Sequence, residues 1–102
     1  MAIRMTKPWR PLAREEVAAL PGQLGVYELA DETGRVIFIG YAGGRSLFGL
    51  RGTLEAAETT PPDGARQFRA EVTMQYLTRY RELLMVHVAD HGELPRHNRA
   101  DP

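Results

Sequence analysis

The chain lacks cysteine altogether, has a single lysine and a single tryptophan, and carries no net charge over its 102 residues. Without cysteine there are no disulfides and no thiolate metal sites, and the redox compartment stays open. Thirteen basic side chains balance thirteen acidic ones, and all the basic ones are arginine except Lys7. A strongly cationic nucleic-acid binder has a different balance, although a local basic patch survives at zero net charge. No apolar run is long enough for a membrane span. Residues 1–11 carry charges, Pro8, Trp9 and Pro11 where a signal peptide would be apolar. The expected location is therefore cytoplasmic. Hydrophobic content of 43% and charged content of 25% suit a folded chain with one modest core.

Two short apolar runs, residues 24–29 and 36–41, flank the turn Ala30-Asp31-Glu32-Thr33-Gly34. Their valine, isoleucine, phenylalanine and tyrosine suit a pleated surface, and a glycine-bearing loop of this length closes a β-hairpin. Before the hairpin, residues 12–20 predict a short helix that Pro21-Gly22 ends. After it come Ala42-Gly43-Gly44-Arg45 and then a helix capped by Ser46, running to about Glu58. Residues 67–76 alternate Phe68, Ala70, Val72 and Met74 against Gln67, Arg69, Glu71 and Thr73. That period of two predicts a third strand with one polar, solvated face. A last helix capped by Thr78 runs to His91 and stops at Gly92, and its apolar stretch 83–89 predicts burial on more than one side. The expected fold class is α+β, a small three-stranded antiparallel sheet flanked by helices, in a single domain. Residues 1–20 form an N-terminal arm and short helix, 21–98 the body and 99–102 a tail.

Gly25-Val26-Tyr27, then Phe38-Ile39-Gly40 at hairpin distance, then a helix carrying Arg51, resemble the GIY-YIG nuclease domain. The resemblance extends over residues 21–98 to Pro95-Arg96-His97-Asn98, which is similar to the family's closing Pro-x-x-Asn. It implies an endonuclease hydrolysing phosphodiester bonds, with DNA the expected nucleic acid before RNA. It also implies Mg²⁺ or another divalent cation held by a carboxylate on the last helix, where Glu82 is the candidate. A bound cation polarises the phosphate and neutralises developing charge. Arg51 supplies a forked guanidinium to the phosphate, and Tyr27 is the candidate activator of water. Phe38 stands where the family has its second tyrosine, so Tyr41 is the nearest replacement hydroxyl, on the opposite strand face. Gly40, Arg45 and Asn98 are the candidate substrate-binding positions. Glu71 on the third strand is the substitute carboxylate.

Other readings stay open beside that one. A catalytically degenerate domain of the same shape could bind nucleic acid or a protein partner, and the apolar last helix could serve a homodimer. His87, Asp90 and His91 echo an inverted zinc-protease motif, but the general-base glutamate is missing and a core histidine explains His87 more simply. Arg45, Arg51, Arg66, Arg69, Arg79 and Arg81 could form a phosphate-binding face, with Glu55, Glu58, Glu71 and Glu82 interleaved among them.

Overall fold

Residues 4–99 are described by a computed structural model. Residues 1–3 of the expected arm and 100–102 of the expected tail lie outside the described residues. The hairpin forms as β2 (Gly25–Ala30) and β3 (Val36–Ala42), paired antiparallel with Tyr27 opposite Gly40. Its turn is held by Asp31, whose Oδ1 accepts hydrogen bonds from the Thr33 amide (2.9 Å), the Thr33 hydroxyl (2.6 Å) and the Arg35 amide (3.1 Å). Such an Asx turn lets the side chain stand in for a backbone acceptor. Gly34 takes the left-handed conformation the turn needs, at φ 89°. The register shifts between Leu29 and Ala30, so Ile37 becomes an extra residue and joins the core on the Leu29 side.

The sheet has four strands, in the order β1-β4-β2-β3, where β1 is Arg10–Pro11 and β4 is Gln67–Val72. This corrects the three-stranded expectation. The proline-bearing arm pairs with the outer edge of β4, Arg10 opposite Phe68, and proline is tolerated there because an edge strand needs no second ladder. Met5, Val26, Ile39 and Leu83 pack together on one sheet face, so the arm is built into the core.

Helix α1 (Arg14–Ala18) and helix α2 (Gly49–Thr59) cover the other face, where Val17, Leu20, Leu50 and Leu54 meet Tyr27, Leu29 and Phe68. Helix α3 (Tyr76–His91) covers the Val26 face and stops at Gly92, φ 81°. Three expectations are corrected here. Helix α2 begins at Gly49 and not after Ser46, because residues 46–48 form a turn with Phe48 left-handed at φ 63°. The polar face of β4 is half-buried and ion-paired where full solvation was expected, because Arg69 and Glu71 find opposite charges, Glu28 on β2 and Arg79 on α3. Helix α3 buries only one side, through Leu83 and Val86, leaving Met85 70% exposed. Among the described residues no helix is long and apolar enough to cross a membrane.

Candidate functional site

The hairpin presents two different chemistries, one on each face. On the α2 face, Tyr27 lies across Gly40, where a Cβ would come within 2.5 Å of both the Tyr27 Cζ and its hydroxyl. Gly40 is therefore the gap that seats the tyrosine ring, and Phe38 tilts beside it with ring centroids 6.0 Å apart. Tyr27 is 7% exposed, and burial, reinforced by the Tyr80 phenol, pushes its pKa up to about 12. Its hydroxyl makes no hydrogen bond among the described residues, yet the oxygen keeps contact with solvent. A phenol in that state is a weak base at neutral pH. Arg51, in the first turn of α2, sits with its guanidinium 5.6 Å from the Phe48 ring and pairs with no carboxylate among the described residues.

On the α3 face lie Glu82, on the helix itself, and Tyr41, which alternation along β3 turns away from the Tyr27 face. Arg79 donates to Glu82 and also to Glu71, at 2.8 Å to Glu71 Oε2, so both candidate carboxylates are held by one guanidinium. Among the described residues no group of three or more histidine, aspartate or glutamate side chains could hold a metal ion. The residues present do not fit a divalent centre shared by Tyr27 and Glu82. His87 and His91 pair with ring centroids 4.4 Å apart, while Asp90 is taken up by Arg4 through two hydrogen bonds of 2.6 and 2.8 Å.

Tyr41 is 42% exposed and belongs to an aromatic cluster, stacked on Tyr76 at 5.7 Å and edge-on to Tyr80 at 4.9 Å. Tyr76 and Tyr80 are the functional candidates that reading the sequence missed. Their signal was their spacing of four on α3, which places two phenols on one helix face. The glycine loop closes over this cluster: the Gly44 amide donates to the Tyr76 hydroxyl at 3.2 Å, and a Cβ on Gly43 would stand 2.8 Å from the Tyr76 ring. A cavity of about 350 Å³ opens there, lined by Tyr41, Arg45, Ser46 and Leu77 as well as both glycines and Tyr76. Arg45 is exposed and pairs with no carboxylate among the described residues.

Asn98 serves the sheet edge. Its Oδ1 accepts from the Ile39 amide and its Nδ2 donates to the Ile39 carbonyl, both at 2.8 Å. The side chain thus pairs with the outer edge of β3 as a neighbouring strand would, using both its oxygen and its nitrogen.

No curated protein and no solved structure matches the chain. A family model described as a domain of unknown function, DUF7508, matches residues 3–90. The chain belongs to the DUF7508 family.

Proposed function

We propose that this chain is a GIY-YIG-like module that has turned from hydrolysis to binding, and that it holds single-stranded nucleic acid, DNA before RNA, at the Tyr41–Arg45 end. The observation that carries the reading is the exposed Tyr41, stacked on the half-buried Tyr76, beside an arginine with no carboxylate partner among the described residues and a glycine loop. Stacking on an aromatic ring contributes about 1–3 kcal/mol per base and tolerates any sequence. A guanidinium next to it supplies the phosphate contact. The antiparallel trio β3-β2-β4, with Tyr27 directly opposite Gly40, supports the family resemblance.

The second reading is a Mg²⁺-dependent endonuclease, favoured by Tyr27 and Arg51 belonging to elements on one sheet face. It requires a carboxylate, and the candidates are engaged by Arg79 on the other face. A protein partner for the exposed apolar residues Leu47, Phe48 and Met74 is the remaining alternative.

Fluorescence anisotropy of a labelled single-stranded oligonucleotide tests the binding reading. Tyr41→Ala is expected to weaken binding about tenfold or more. Arg45→Gln is expected to weaken it by a smaller factor and to flatten its salt dependence by roughly one phosphate contact. Affinity unchanged in both variants would remove the Tyr41–Arg45 end from the proposal.

A further inference from the structure

A second cavity, about 240 Å³, lies between the start of β3, the end of α3 and the tail. Arg35, Arg96, Arg99, His87 and His91 line it, against the single carboxylate of Glu93. Arg99 neutralises that carboxylate through a 3.0 Å ion pair. The Arg96 guanidinium donates to the Asp63 carbonyl at 2.7 Å and adds a further positive charge to the lining. Arg35 has no side-chain hydrogen bond among the described residues. We infer that this cavity binds a phosphate-class oxyanion, with Arg35 and Arg99 as guanidinium donors and His87 and His91 as imidazole donors.

Charge decides the sign of the ligand. A metal cation on the His87–His91 pair would face three arginines, and the nearby carboxylates Glu93 and Asp90 are already held by Arg99 and Arg4. The C-terminus of α3 opposes an anion, but with only about half a unit charge against the roughly two that remain when Glu93 is set against the three arginines. His87 is held below the usual histidine range by burial first, then by His91, with Arg35 and Arg99 adding to the fall and Asp90 opposing it. An anion seated among these groups reverses their repulsion. Size narrows the class further: the cavity is smaller than an ordinary drug-sized pocket, which suits an isolated phosphate group. Several guanidinium and imidazole donors also outnumber what one carboxylate accepts. The inference is independent of the Tyr41–Arg45 reading, which uses the other end of the sheet.

The phosphate could come from the free ion or from the end of a nucleic-acid strand, and one titration separates them. The imidazole NMR signals of His87 and His91 are followed at constant ionic strength while inorganic phosphate, a terminally phosphorylated oligonucleotide or its hydroxyl-terminated twin is added. Saturable shifts with inorganic phosphate, absent with chloride and weakened about tenfold in Arg35→Gln, support the site. Shifts with the phosphorylated oligonucleotide alone also support it and identify a strand end as the source. Arg99→Gln, on a separate segment, is expected to weaken binding as Arg35→Gln does. No saturable shift with any probe overturns the inference, as do equal shifts with the phosphorylated and hydroxyl-terminated strands.

Discussion

Arg69→Ala is expected to destabilise the protein by about 3 kcal/mol or more at neutral pH, the size seen when one partner of a buried ion pair is removed. Glu28 is 5% exposed in the central strand β2, directly across from Arg69 in β4. Its carboxylate accepts from Arg69 Nε at 2.7 Å. The same guanidinium lies 4.2 Å from the centre of the Trp9 ring and donates to the Lys7 carbonyl, so it also ties the arm to the sheet. Truncation leaves a largely buried carboxylate without its paired guanidinium, and loses the arm's anchor as well. For a domain of this size that amounts to a fall in Tm on the order of 15 °C.

The pH dependence has a definite sign. Burial raises the Glu28 pKa above its ordinary value, and Arg69, by charge and hydrogen bond, pulls it back only in part. A raised carboxyl contributes stability while protonated at low pH and loses it as the pH climbs through the folded-state value. Without Arg69 that value rises further, so the deficit of Arg69→Ala is largest at neutral pH and narrows as the pH falls toward the carboxyl range. Urea unfolding at neutral and acidic pH measures this directly. The double variant Glu28→Leu with Arg69→Met is expected to recover much of the loss, since an apolar pair of similar volume replaces a buried charge. A deficit that stays constant with pH and is not recovered in the double variant would show that the pair is not what Arg69 contributes.

Gly25→Ala is the second large effect. A Cβ there would stand 2.2 Å from the Glu71 carbonyl oxygen and 2.9 Å from Leu50 Cδ1. The first obstacle is the backbone of the adjacent strand, which cannot retreat without opening the β2–β4 ladder. Overpacking of this kind costs about 1–3 kcal/mol, or roughly 10 °C in Tm. Gly34 makes the contrast. Nothing lies within 4 Å of a Cβ at that position, so alanine there meets only the strain of φ 89°, about 1–2 kcal/mol. Thermal unfolding that ranks Gly34→Ala well below Gly25→Ala would contradict the close approach of β2 to β4. The first glycine of the Gly-Val-Tyr motif therefore has a structural explanation independent of any chemistry, and so does Gly40, which seats Tyr27.

Local signals carried much of this fold in the sequence. The hairpin runs, the Asp31–Gly34 turn and the stop at Gly92 all rest on backbone requirements that few residues meet. The opposite-face placement of Tyr41 also follows from strand alternation, which holds from Phe38 to Tyr41 because the register shift comes earlier. What stayed hidden depends on partners distant in sequence. Strand β1 is two residues in a proline-bearing arm, held by pairing to β4 and by Arg10 lying 5.2 Å over the Phe68 ring. The late start of α2 follows from the fit of Gly49 against the Gln23 backbone, where a Cβ would stand 2.4 Å from the Gln23 oxygen. Alternation in β4 marked Arg69 and Glu71 as polar but could not distinguish solvent from a paired charge under a helix. The same blindness applied to Glu82, which Arg79 engages.

The most direct test of a binding module without hydrolysis is to incubate the protein with single-stranded and plasmid DNA in Mg²⁺ or Mn²⁺, following binding and cleavage in the same samples. Wild type and Arg51→Ala are both expected to retain the single strand and leave every substrate intact. Cleavage by wild type that disappears in Arg51→Ala and Tyr27→Phe would contradict the account and restore the α2 face as an active site.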